Sequence, residues 1–450
     1  MQTKRGAGIG KGLAQTKGLA QTLRRAGRVA AALAILATPV AAFAADRYVP
    51  AAPEQGTDIP KAVIKFGMRP YADNTFYYIG MKQGWFDDVG ISFDPAPYGL
   101  KANDSNVLTL MLNGQLDLIS EYCPLILPTY KDSSLLKCVG FTDNNEAFAI
   151  LANPALKLKT LKDYMGDGLK FDEALKKTLE PLAGKTLVGA PELSARPFEE
   201  GLQKLSGLKW NLQVLDDSKS LVLAKAGRED FVNPEGAPIT YTLRQAGWTD
   251  LVDIGDLVKY GPGGEGSPLE GLIDIVGMAA NGDWVNKNPN TMLRFTSVVW
   301  RIFDQTQKDP SLFDIQAPYL NSFAGTDLDG KGVASTVNIL DPFTPFESQK
   351  DYYDDPKHLL YYKSVWGAIV ADLEAHGIIP KGKVQVDDVV WGGDIYHQMV
   401  DYKNKTDALF AKLDGATLSG DKKGLYDKAK KLYADFDFLD AYRLALAASA

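Results

Sequence analysis

From Lys61 onward the chain alternates short apolar runs with amphipathic stretches, and this rhythm limits the fold more than any other feature of the sequence. Apolar runs joined through whole helices cannot pair as hairpins; they pair as strands of a parallel α/β sheet with right-handed crossovers. Ala62–Gly67 reads as the first strand. Thr75–Gln83 reads as a helix, with Asn74 as its N-cap and Gly84 at its end. Ile91–Phe93 is a second strand, and Asp104 or Ser105 can cap a helix running to Asn113. Gly114 then takes the left-handed position that stops a helix. Leu116–Ser120 is the third strand, Pro124–Asp132 a helix, and Lys137–Phe141 and Ala147–Leu151 further strand segments.

The same style recurs with different punctuation. Thr186–Ala190, Leu212–Leu215 and Leu251–Ile254 read as strands, Ser194–Lys204 and Leu221–Lys225 as helices, and Asp172–Leu182 as an inserted amphipathic helix. Leu272–Ala279 returns as a strand, after which the chain is mostly helical over Asn290–Gln307, Lys357–His376 and Thr406–Leu446. At roughly 100 to 200 residues per domain, 450 residues make two or three folded units. The expected division is a first lobe over 61–150, a second over 151–270, a largely helical return to the first over 271–400, and a helical extension over 401–450. The chain then crosses between lobes twice, near 148–153 and 270–280, and two crossings make a hinge.

Ahead of these units, residues 1–44 read as a signal peptide. A basic stretch ends at Arg28, Val29–Phe43 is apolar, and Ala42-Phe43-Ala44 is a cleavage pattern. The apolar part is broken by Pro39 and is shorter than the roughly 20 residues that span a bilayer. No cysteine near the cleavage point could carry a lipid, so a periplasmic protein is expected. Residues 45–60, with prolines and little periodicity, read as a flexible leader. The whole chain carries a net charge of −7, but the basic start supplies seven uncompensated positive charges, so the remainder stands at −14. Such an acidic surface repels phosphate backbones, which disfavours nucleic-acid binding.

Catalytic patterns are missing. The three histidines, His358, His376 and His397, have no metal-ligand spacing, and there is no G-x-S-x-G elbow, phosphate loop or Cys/His pair. No metal, cofactor or catalytic residue is therefore expected. Gly261-Pro262-Gly263-Gly264-Glu265-Gly266 matches a dinucleotide string, but it leads into a strand rather than a helix and reads as a loop. Cys123 and Cys138 could pair in an oxidising compartment. If the runs that carry them are parallel neighbours, however, they sit at opposite ends of the sheet, beyond the ~7 Å that a disulfide allows.

Three segments taken together resemble the periplasmic solute-binding proteins of ABC importers for sulfonates, taurine, nitrate and thiamine precursors. They are Tyr77–Phe86 with Gly90-Ile91, the helix-to-strand unit Val107–Ser120, and Asp283–Asn290 with its Trp284 and Asn288-Pro289. The resemblance covers roughly residues 62–400. It implies the two-lobed type II periplasmic binding fold, a small-molecule ligand, an inner-membrane permease and ATPase as partners, a monomer and no catalysis. An enzyme of the same fold acting on a small pyrimidine or aromatic acid, or a sensor docking on a membrane receptor, are the alternatives. The run of cysteines that one enzymatic relative carries is absent.

Parallel α/β sheets bind ligands beyond the carboxyl ends of their strands. The candidate ligand-binding residues are accordingly Tyr71, Asn74, Asn103, Glu121, Tyr122, Thr142, Asp143, Ser194 and Arg196, with Pro70, Asp73, Tyr98, Ser105, Cys123, Asn144, Ala195, Asn233 and Thr240 nearby. Glu121 is the most telling, because a carboxylate directly after an apolar strand needs a partner. With Ser194 and Arg196 opposite, the expected ligand has a cationic or donor end and an anionic or acceptor end.

Overall fold

Among the described residues eleven strands form two sheets. β1 (Ala62–Met68), β2 (Ile91–Asp94), β3 (Leu100–Lys101), β4 (Leu118–Glu121) and β5 (Leu136–Asn145) belong to the first. β6 (Ala149–Ala152), β7 (Thr186–Gly189), β8 (Asn211–Val214), β9 (Phe231–Asn233) and β10 (Thr249–Asp253) make the second, and β11 (Asp274–Asn281) rejoins the first. The computed structural model describes residues 47–450 except 104, 190–194, 263–273 and 416, and the side chains of 258 and 274 are likewise outside the description. The signal peptide, Asp104, Ala190, Ser194, Gly263–Gly266 of the glycine string and Leu272 lie outside the described residues.

The first sheet runs β2-β1-β4-β11-β5, with β3 beside β1. β1 is parallel to β2, β3 and β4, as crossover helices require, but β11 is antiparallel to both β4 and β5. This corrects the expectation of an all-parallel sheet. It also removes the premise on which the cysteines were separated, since β4 and β5 are not neighbours. Cys123 and Cys138 are free and both buried, and burial, then Cys138, hold the Cys123 thiol well above its usual value. β11 approaches β5 so closely that a Cβ on Gly277 would stand 2.1 Å from the Gly140 carbonyl oxygen, and the register slips by a residue at that point. Only glycine fits such a contact.

The second sheet runs β10-β6-β9-β7-β8; its inner strands β6 and β9 are buried on both faces, whereas the edge strand β8 is exposed. Alternation along β6 shows how: Ile150 and Ala152 join one core with Leu187, Phe198 and Phe231, while Ala149 and Leu151 join the other with Val188 and Val232. The helices Phe171–Leu179 and Ala195–Ser206 cover the first of these faces. The chain passes from β5 straight into β6 and comes back through β11.

Local caps differ from the sequence reading at two places. The stretch read as one helix after Asn74 is two, Ala72–Thr75 and Tyr77–Lys82, so Asn74 lies inside a helix and Tyr71 takes the N-cap position without a capping bond. Asn106 rather than Ser105 precedes the helix Val107–Leu112. Gly84 and Gly114 adopt φ of 73° and 67°, the left-handed stops expected of them.

Residues 47–60 have no helix or strand but are docked, contrary to a flexible leader. Arg294, 2% exposed in the helix Pro289–Lys308, donates to Glu54 through both terminal nitrogens (2.9 and 2.8 Å) and to Asp440 (2.7 and 3.0 Å). Arg443 pairs with Asp440 and donates to the carbonyls of Glu54, Gly56 and Asp58 at 2.8, 3.1 and 3.0 Å. A segment that lacks its own backbone ladder is thus satisfied by buried guanidinium groups. The last helices are Gly392–Leu413, Gly420–Ala434 and Phe438–Ser449; the first of them runs through residue 401, where an extension was expected to begin.

Glu199 provides a pH readout of the second lobe. It is buried, accepts a hydrogen bond from Asn233 Nδ2 at 2.9 Å, and burial pushes its carboxyl up to about 7. Between the unfolded value near 4.5 and about 7 the folded state keeps a proton that the unfolded chain releases, so this stability is lost as pH rises through 7. Glu199→Gln is expected to raise stability at pH 8 by on the order of 2 kcal/mol and to change little at pH 4, measured by urea unfolding.

Candidate functional site

The carboxyl end of β1 leads into Arg69, Pro70 and Tyr71, and there the two lobes meet. Arg69 is 1% exposed and is ion-paired with Glu121, at the end of the neighbouring β4. Its other terminal nitrogen lies 3.7 Å from Glu235, just beyond β9 of the second lobe, and its guanidinium stacks 4.7 Å from the Tyr71 ring. One buried cation therefore joins carboxylates from both lobes, and Glu121 has the partner its burial demands.

Two cavities open around this group. The inner one is lined by Arg69, Tyr71, Asp73, Tyr122, Glu235 and Asp341 among others. The outer one, about 260 Å³, lies between Pro70, Tyr71, Asn103 and Ser105 on one side and Asp216, Asp217, Ser218 and Ile239 on the other. Tyr71 borders both. Its ring also closes against the second lobe, where a Cβ on Gly236 would sit 2.6 Å from Tyr71 Cδ1 and 3.0 Å from Asp217 Oδ2. Gly236→Val is expected to wedge the lobes apart at a cost of ~1–3 kcal/mol. Small-angle scattering should show a larger radius of gyration for this variant.

The electrostatics of the cleft are acidic. Asp341 follows the helix Gly330–Leu340 and is held beside β5 by backbone bonds from Glu146 N to Leu340 O, Asn144 N to Pro342 O and Thr344 N to Thr142 O. Burial and the charges of Asp73, Asp143 and Glu146 hold its carboxyl well above the usual carboxylate range. Asp143 is raised in the same way, by burial and then by Asp73. Asp73 is pushed up to about 6 by burial, against the pull of Arg69. Asp217 accepts hydrogen bonds from the backbone N–H groups of Glu235 (3.3 Å) and Gly236 (2.6 Å), ahead of the helix Ala237–Gln245.

The residues expected at the cleft divide. Tyr71, Tyr122 and Asn103 line it, together with Pro70, Asp73 and Ser105. Glu121 lies behind Arg69. Thr142 and Asp143 are fully buried in β5, with Thr142 Oγ1 donating to Asp143 Oδ1 at 2.7 Å, and neither lines either of these two cavities. Asn74 is buried and donates to Asp73. Arg196 lines neither cavity: it reaches Asp372 at 2.7 Å and Glu200 at 3.5 Å, because a helix from the C-terminal half comes alongside. Asn144 faces Tyr352, Asn233 holds Glu199, Thr240 bonds the Ala147 carbonyl, and Tyr98 packs on Tyr78. Sequence reasoning missed Arg69, Glu235, Gly236, Asp217 and Asp341. Arg69 was within reach, standing one residue before Pro70 at the carboxyl end of β1; Asp341 was not, since only the fold brings it to β5. Among the described residues no group of acids, histidines and cysteines could hold a metal ion, and no helix is long and apolar enough to cross a membrane.

No family model and no curated protein sequence matches the chain. Solved structures do. The periplasmic nitrate-binding protein NrtA from Synechocystis PCC 6803 superposes with a TM-score of 0.50 at 13% identity, over 77% of this chain and 89% of that one. The ligand-binding component of an ABC-type import system from Staphylococcus aureus, solved with zinc bound, gives 0.50 at 12% identity over 75% and 99%. The periplasmic aliphatic sulphonate-binding protein SsuA from Escherichia coli gives 0.49 at 15% identity over 74% and 92%. The chain has the α/β fold of periplasmic binding proteins.

Proposed function

We propose that this protein is the periplasmic solute-binding component of an ABC importer, which captures one small polar organic molecule between its lobes and delivers it to an inner-membrane permease and ATPase. The observation that carries the reading is the cleft itself. A cavity of about 260 Å³ takes its walls from both lobes, beside the buried Arg69 that pairs with carboxylates of each. Such a site can gain contacts when the lobes close, which is how a hinged protein converts ligand affinity into a change of shape. The cavity suits a small molecule rather than a polymer. The fold supports the reading by analogy, and the cleft supplies the chemistry. Among the described residues neither the enzyme nor the sensor alternative has a specific observation in its favour. Scattering with and without bound solute tests this. Closure predicts a smaller radius of gyration on binding, one solute per chain, and solute recovered chemically unchanged; stoichiometric conversion to a product would favour the enzyme.

A further inference from the structure

Among the described residues the cleft gathers buried carboxyls around a single lining cation, Arg69. Asp341 lines the inner cavity, is 1% exposed, and its Oδ2 has no hydrogen-bond partner among the described residues. Directly behind it in the cluster, fully buried Asp143 also has an unpartnered Oδ2 among the described residues, and Asp73 completes the group. Asp341 further stands at the C-terminal end of the helix Gly330–Leu340, where the backbone carbonyls add partial negative charge. Burial makes these carboxyls retain protons, Asp73 against the pull of Arg69, and a cation would displace them.

The means of holding an anion are already committed. Arg69 is the cation among the described residues that line the two cavities, and it serves Glu121 and Glu235. The N–H groups ahead of the helix Ala237–Gln245, a ready anion site, already donate to the Asp217 carboxylate. Arg196, the donor expected for an acid group, is engaged with Asp372 away from the cleft.

We propose that the solute is an organic cation, a primary ammonium compound whose body lies in the outer cavity against Tyr71 and whose charged group reaches into the inner one, about 10 Å³ and the size of a single small group, toward Asp73 and Asp341. This rests on the solute-binding reading above and names its ligand class. The aromatic walls favour a cation over a neutral isostere, and the unpartnered carboxylate oxygen gives it a charge-assisted acceptor. The titratable and charged groups that line the inner cavity around the bound charge are Arg69, Tyr71, Asp73, Tyr122, Glu235 and Asp341, and Asp143 and Glu146 act on Asp341 from outside that lining. Because binding displaces protons from the carboxyls, affinity rises with pH and the binding heat depends on the ionisation enthalpy of the buffer.

Calorimetry on the full chain with benzylammonium, benzamidinium, putrescine and choline, against benzoate, benzenesulfonate, nitrate and benzyl alcohol, tests the assignment. The expected result is one cation bound per chain, no binding of the anions, and a loss of ~100-fold or more in affinity in Asp341→Asn and in Asp73→Asn, two variants so that one that fails to fold does not decide the matter. An anion or the alcohol bound one per chain would overturn the cation assignment and leave the solute-binding reading standing. Cation binding that survives both substitutions would overturn the placement at Asp341 and Asp73. If no member of the panel binds at millimolar concentration, both readings fall.

Discussion

Arg69→Met is expected to destabilise the protein by ~3–5 kcal/mol at pH 7.5 and to abolish solute binding. The guanidinium is buried with Glu121 and within 3.7 Å of Glu235, and methionine fills much of its volume while removing its charge. Two buried acids then lose the guanidinium that pairs with them, which is the costly way to break a buried ion pair. The loss should shrink as pH falls, since protonation of the stranded carboxyls removes the charge that burial penalises. Adding Glu121→Gln to the variant should restore most of the stability but not the binding, because Glu235 and the position of the Tyr71 ring still depend on Arg69. Urea unfolding of the single and double variants measures both effects. Equal stability of wild type and Arg69→Met would remove Arg69 from the centre of the cleft.

A second large effect is expected far from the cleft. Arg294→Met should cost a similar ~3–5 kcal/mol, because Asp440 and Glu54 lose the cation they share. Asp440 has a carboxyl depressed below its usual value: burial raises it, but the hydrogen bonds and charges of Arg294 and Arg443 win. Its contribution is present above the unfolded value near 3.8 and is lost as pH falls through the lower folded one, so the network fails in acid. The segment 47–60 should detach first. Limited proteolysis is expected to cut the variant within that segment while leaving the wild type intact at the same protease concentration. Uncut chains in both would show that the segment is held by other contacts, such as the burial of Tyr48.

The strands and helices were largely legible because apolar period and glycine stops are local signals. Ala62–Met68, Ile91–Asp94 and Phe171–Leu179 lie within a residue or so of expectation at their starts, and Gly84 and Gly114 stop helices with the positive φ that the pattern required. Strand partners were not legible. Nothing in the run that became β11 says that it inserts antiparallel between β4 and β5, and the argument separating Cys123 from Cys138 failed for that reason. The candidate site divides along the same line. The burial of Glu121 and its need for a partner follow from a carboxylate ending an apolar strand, but the identity of that partner depends on β1 lying beside β4. Arg196 at a helix start looked like a ligand donor, and only the fold brings Asp372, 176 residues later, within 2.7 Å of it. Residues 47–60 lack the periodicity that marks an ordered element, whereas the buried Arg443 from a distant helix satisfies their carbonyls.

Native mass spectrometry of the freshly purified full chain tests the central claim most directly, because tight solutes survive gentle purification and a denatured control reports the free molecule. A cleft that binds and delivers predicts a single small-molecule adduct per chain, lost in Arg69→Met, with the same mass in the folded complex and after release. An adduct retained by Arg69→Met, or a released molecule whose mass changes on incubation with the protein, would contradict it.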